Sequence, residues 1–297
     1  MSAVIEADGL TKRWGSLTAV DDLSLSVAEG ECYAFLGRNG AGKSTTARMM
    51  LDFIRPSSGT TRLLGRSGRD PGVRARVGYL PGDLNLPKSM NGHDAIHFFG
   101  AMSHAPDSDE VDDLLDRFGL DPHRPFHELS TGNRRKVGLV LAFMNRPDVL
   151  ILDEPTSGLD PILQETFREL LAERKAGGAT IWLTSHVMAE VERVADRVGL
   201  IDDGHLAQEL TMEELRRQTT GRIRFSFNDP PPSDAFGSVA GVTSVDVSGT
   251  DVFVQVDGPV TDVLARAAQL DAIQIQTQQR DLDEIFLETY EEGGHGG

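Results

Sequence analysis

Up to about residue 217, short apolar runs alternate with amphipathic stretches and glycine-rich turns. That alternation predicts an α/β domain organised around a buried sheet. Residues 34–36, 149–152 and 180–184 read as buried strands, and each runs directly into a polar or glycine-rich segment. Ligands of open α/β sheets gather where strands end, so chemistry is expected at these three junctions. Between residues 88 and 146 the period lengthens. Helical spacing over 95–102 and 110–118, with little strand signal, predicts a helical insert of about 88–146. The acidic group on it, Asp107, Asp109, Glu110, Asp112 and Asp113, reads as a solvated helix N-terminus favoured by the helix dipole.

Beyond Arg217 the texture changes. Strand-like alternation at 222–227 leads into three prolines at 230–232, a short helix near 233–239, and alternation again at 245–247 and 252–256. A helix over 260–270, a strand at 273–275 and a closing helix over 282–290 follow. The order β-α-β-β-α-β predicts a small ferredoxin-like α+β domain. Two domains are therefore expected, 1–217 and 218–297, the second ending in a glycine-rich tail at 293–297 that is expected to be disordered.

Length supports the division, because 297 residues exceed the roughly 100–200 that most single cores organise. No apolar stretch approaches the ~20 residues needed to span a bilayer, and the N-terminal segment lacks a basic-then-apolar leader. A chain that stays inside the cell and crosses no membrane by itself is the expectation. The single cysteine, Cys32, excludes an intrachain disulfide and reads as a buried, inert thiol. A net charge of −17 opposes nucleic acid phosphates, and the one three-residue basic run, Arg134, Arg135 and Lys136, is too small for a nucleic-acid footprint.

Two segments carry chemistry. Gly37, Arg38, Asn39, Gly40, Ala41, Gly42, Lys43 and Ser44 match the phosphate-cradling P-loop, after an apolar strand and before a helical stretch, as that motif requires. The glycines let backbone N–H groups converge on phosphate oxygens, Lys43 neutralises β- and γ-phosphate charge, Ser44 reaches Mg²⁺, and Thr45 adds an α-phosphate contact. The strand at 149–152 ends in Asp153 and Glu154. Beside a P-loop these suit a metal-shell carboxylate and a group that polarises attacking water. His93 and His97, with Asp94 between them, echo a zinc-protease spacing, but with a shortened acid and no third ligand in view no metal is expected there.

Leu129, Ser130, Thr131, Gly132 and Asn133 resemble the signature motif of ABC (ATP-binding cassette) proteins, and Ser157, Gly158, Leu159 and Asp160 resemble their D-loop. His186 matches the switch histidine and Trp14 the aromatic that stacks on adenine, a contact worth roughly 1–3 kcal/mol. These motifs span residues 12–186 in the family's order. The resemblance implies an ATPase using Mg²⁺, with Glu154 and His186 catalytic, and a site completed by Ser130 and Gly132 of a second subunit in a homodimer or a heterodimer. It also implies a peripheral position on the inner face of the cell membrane, against a separate membrane-spanning permease, and export rather than import. The rival expectation, a non-transport ABC ATPase acting on nucleic acid or ribosomes, is opposed by charge and by the single compact cassette. Two positions depart from the family: Gly82 stands where a glutamine is usual, making neighbouring Asp83 a further metal candidate, and Asn133 replaces the signature's terminal glutamine.

Overall fold

The computed structural model describes residues 3–102, 107–219, 222–232 and 234–278. Its contacts divide the chain into two compact units, Met1–Glu209 and Leu210–Gly297. The first unit is built on two sheets. Strands β1 (Ala3–Trp14), β2 (Leu17–Ala28) and β4 (Ser58–Leu63) form an antiparallel sheet in the order β2-β1-β4. Strands β3 (Cys32–Leu36), β5 (Val77–Leu80), β6 (Val149–Asp153), β7 (Thr180–Ser185), β8 (Arg197–Asp202) and β9 (His205–Thr211) form the second, ordered β5-β6-β7-β3-β8-β9. Every residue of β3, β6 and β7 is buried, which is why these strands read as unbroken apolar runs rather than as alternation. Phe35 and Trp182 pack ring to ring across neighbouring strands at 5.3 Å.

Helices α1 (Lys43–Met50), α2 (Pro71–Arg74), α6 (Pro161–Ala176) and α7 (Met188–Val191) connect the strands, while α3 (Gly92–Met102), α4 (Ser108–Phe118) and α5 (Thr131–Phe143) follow one another between β5 and β6. Local chemistry sets their ends. Asp160 caps α6 by accepting from the N–H groups of Ile162 and Leu163, with Pro161 at the first helical position, and Ser130 caps α5 by accepting from the Asn133 N–H. Gly119 ends α4 in the left-handed conformation. Among the described residues no helix is long and apolar enough to cross a membrane.

The acidic start of α4 differs from expectation at one residue. Glu110 is buried, and its carboxylate pairs with Arg146 at 2.6 Å and with Arg174. It lies on the face that carries Leu114 and Phe118, four and eight residues on, so the helix turns it inward, where two guanidinium groups offset its desolvation.

In the second unit, α8 (Met212–Thr219) precedes an antiparallel sheet of β10 (Arg222–Ser226), β11 (Val242–Ser248), β12 (Asp251–Val256) and β13 (Gln274–Gln278), with α9 (Thr261–Gln269) between the last two strands. The strand order β11-β12-β10-β13 is that of a ferredoxin-like sheet. The helix expected near 233–239 is instead a run of turns: Ala235, Gly237 and Val239 donate to Pro232, Asp234 and Phe236, each three residues back, and no four-residue ladder develops. Phe236 nevertheless enters the core, stacked on Phe225 at 5.2 Å. The predicted helix over 282–290 and the tail at 293–297 lie outside the described residues.

Burial pushes the Cys32 thiol up to about 12. At neutral pH almost no thiolate forms, so the folded chain is expected to resist alkylation and to release one reactive thiol only on unfolding. Reaction with a chromogenic disulfide, with and without denaturant, checks this.

Candidate functional site

The glycine-rich loop joins buried β3 to α1, and two of its glycines are required by close packing. A Cβ on Gly37 would lie 2.3 Å from the Ile201 carbonyl oxygen, and one on Gly42 would lie 2.6 Å from that of Ala19, at a φ of 111°. Arg38, Asn39 and Gly40 form the exposed crest, Ala41 is buried beneath it, and Ser44 and Thr45 lie half-buried in the first turn of α1. The Lys43 side chain is only 6% exposed. Its ammonium donates to the carbonyls of Gly37 at 2.6 Å and Arg38 at 3.1 Å, and pairs with Glu154 Oε1 at 3.2 Å.

Beside the loop, β6 delivers its two carboxylates differently. Asp153 is fully enclosed; its Oδ1 accepts from the Thr184 hydroxyl at 2.7 Å, and its buried Oδ2 has no hydrogen-bond partner. Glu154, one residue on, takes a left-handed conformation at φ 51°, a strain of order 1–3 kcal/mol that surrounding structure must hold. Its N–H donates to Thr184 Oγ1 at 2.9 Å, and its Oε2 meets His186 Nδ1 at 2.7 Å. The Glu154 carboxylate therefore lies between an ammonium from the loop and an imidazole from the end of β7.

Residues predicted from two further motifs meet behind this centre. Gly132, in the first turn of α5, packs so closely on the loop after β6 that a Cβ there would lie 2.9 Å from the Gly158 carbonyl oxygen. Ser130, Thr131, Ser157, Gly158 and Asp160 are exposed, whereas Leu159 is buried. From α5, the buried Arg135 donates to the carbonyls of Pro81 at 2.7 Å, Asp153 at 3.3 Å, Ser157 at 3.4 Å and Glu154. Burial lowers its pKa, against the opposing pull of Asp153, Glu154 and Asp83.

This order of motifs has known counterparts. The ABC transporter family model matches residues 20–157. The Nod factor export ATP-binding protein I of Paraburkholderia xenovorans is 36% identical, covering 96% of each chain, and the daunorubicin resistance ATP-binding protein DrrA3 of Streptomyces coeruleorubidus is 33% identical over 95% of this chain and 94% of its own length. The bacitracin transport ATP-binding protein BcrA of Enterococcus faecalis is 33% identical over 77% of this chain and 76% of its own. The chain belongs to the ABC transporter ATP-binding family. A solved ATP-binding subunit of an ABC transporter, 28% identical, superposes on this cassette with a TM-score of 0.67 over 72% of the present chain and 92% of its own. The cassette is an ATP-binding, ATP-hydrolysing protein of this family.

Other predicted positions of the cassette fall outside the central cluster. Trp14, at the end of β1, is 51% exposed, with the Lys12 ammonium 4.0 Å from the ring centroid. Asp83 is exposed; Gly82 is the residue that backs onto the open Asp153 oxygen, since a Cβ there would lie 3.0 Å from Oδ2. His93 and His97 stand 6.0 Å apart and His123 stacks on His93 at 5.4 Å, a third imidazole that the sequence did not reveal. Among the described residues, no group of three His, Cys, Asp or Glu side chains is placed to hold a metal ion.

Two residues of the cassette centre escaped sequence reasoning. Thr184 joins the Asp153 carboxylate to the Glu154 backbone N–H, yet a threonine at a strand end carries no pattern of its own. Arg135 belongs to the three-residue basic run, to which the sequence assigns no role, but it shares a buried helix face with Leu139 and Phe143, four and eight residues on, and that spacing marks it as inward-facing.

Proposed function

We propose that the cassette is the energy-coupling subunit of an exporter, working as a dimer against a separate membrane-spanning subunit. The observation that carries this reading is the extent of similarity. Relatives named for export or drug resistance align over 94–96% of their own length, and that similarity reaches the C-terminal unit as well as the ATP-binding one. The net charge of −17 opposes the nucleic-acid alternative. An apolar cavity of about 600 Å³, bordered by Phe53, Tyr79, Leu84, Phe99 and Met102, is the surface we assign to the membrane subunit.

In this reading the N–H groups from Gly37 to Thr45 cradle the triphosphate, Lys43 offsets its charge, and Trp14 stacks on the base. The buried, unpartnered Asp153 Oδ2 fits a cation shell, and Ser44 would supply a hydroxyl to the same Mg²⁺, which when bound neutralises β- and γ-phosphate charge. Glu154 accepts the proton of the attacking water, and His186 orients that carboxylate. Ser130, Thr131, Gly132 and Asn133 of a second copy complete the site with a helix N-terminus, and the loop Ser157 to Asp160 borders that contact. The C-terminal unit supports the dimer.

Reading the genes that flank this one, and co-expressing the full chain with a multi-span membrane protein found there, tests the proposal. Co-purification and ATP-dependent transport in proteoliposomes are expected. A cassette that turns over ATP at full rate as a strict monomer, retains no membrane protein and sediments with ribosomes or RNA would overturn it.

A further inference from the structure

We infer that Arg135 is a positioning residue that ties the signature helix to the hydrolytic carboxylate. A buried guanidinium is costly unless its donors are matched. Here its four hydrogen bonds go to main-chain carbonyls in three separate segments: Pro81 after β5, Asp153 and Glu154 at the end of β6, and Ser157 in the loop beyond. A planar guanidinium holds five N–H donors in fixed directions, whereas an ammonium has three on a freely rotating head.

The consequence falls on Glu154. Its left-handed backbone is held at the N–H by Thr184 and at the carbonyl by Arg135 together with the Ser157 N–H at 3.1 Å. Of these anchors Arg135 is the one that reaches Glu154 from the signature helix, and together they set where its carboxylate stands between Lys43 and His186. Arg135 lies one helical turn into α5, whose capping residue Ser130 belongs to the signature segment, and Gly132 of that same turn packs against Gly158. Displacing the start of α5 therefore pulls on the carbonyls of both carboxylate residues. Ser130 faces the nucleotide of a second copy while Glu154 faces the chain's own, so Arg135 links two ATP sites through one side chain. The inference rests on the proposed roles of Glu154 and of the signature segment.

The test compares Arg135→Gln, Arg135→Lys and Glu154→Gln in the full chain, measuring Mg-ATP affinity, kcat, KM, the Hill coefficient and the melting temperature. Misplacing a reacting group by about 1 Å costs ~100-fold, so Arg135→Gln is expected to lower kcat by that order while Mg-ATP affinity changes by less than about threefold. The Hill coefficient should fall toward one. Arg135→Lys keeps the charge and should recover part of the rate. If Arg135→Gln fails to fold, a lysine variant with normal melting and affinity but a kcat reduced at least about tenfold carries the same conclusion. A kcat within twofold of the parent in either folded variant overturns the inference, as does a loss of kcat matched by an equal loss of affinity. Parental turnover by Glu154→Gln would instead overturn the underlying reading, whatever Arg135 does.

Discussion

Replacing Glu154 by glutamine is expected to lower ATP turnover by at least about 100-fold while leaving Mg-ATP binding intact. The two side chains have nearly the same shape, and the bonds that place residue 154 involve its backbone: the N–H to Thr184 and the carbonyl to Arg135. What disappears is the proton acceptor. An amide oxygen can still receive a hydrogen bond from His186, but it cannot take a proton from water at neutral pH. Binding should hold or tighten, because the carboxylate that shares the Lys43 ammonium at 3.2 Å is removed and that cation is left to the triphosphate. Single-turnover phosphate release and equilibrium nucleotide binding, measured on the same protein, separate these effects. Release at the parental rate would remove Glu154 from the chemistry.

Much of the arrangement was legible because it depends on local chain features. The loop from Gly37 to Ser44 announces itself by its glycines, two of which, Gly37 and Gly42, stand where a Cβ has no room, and β6 by four apolar residues before two acids. The ferredoxin-like succession of the C-terminal unit was legible from strand alternation and helical spacing together, although a stretch bonded three residues back, rather than four, turned one expected helix into turns.

Features that depend on distant partners were not legible. Glu110 pairs with arginines 36 and 64 residues away, and nothing in its acidic neighbourhood distinguishes it until helix α4 is turned to show Leu114 and Phe118 on the same face. His123 reaches His93 from outside α3 altogether. Arg135 spans separations of 18 to 54 residues, which is why its role emerges only when two strand ends, a loop and a helix are assembled around one guanidinium.

The same assembly makes Lys43 the most sensitive position for nucleotide binding. Its side chain is almost fully enclosed, and its ammonium is the positive charge that meets Glu154 from the loop side. Lys43→Ala removes two hydrogen bonds to the loop's own carbonyls, at Gly37 and Arg38, together with the ion pair. Hydrogen bonds to charged groups contribute roughly 1.5–3 kcal/mol each, so loss of the contacts made to phosphate should weaken Mg-ATP binding by about 10- to 100-fold or more. The variant also leaves Glu154 Oε1 buried with no cation beside it, so turnover should fall further than affinity. Lys43→Arg should not restore function, because a wide planar fork cannot occupy a niche closed by two carbonyls within 3.1 Å of one nitrogen. Titration with a fluorescent ATP analogue checks the prediction: affinity within threefold of the parent in the alanine variant would mean that the triphosphate is not held by this loop.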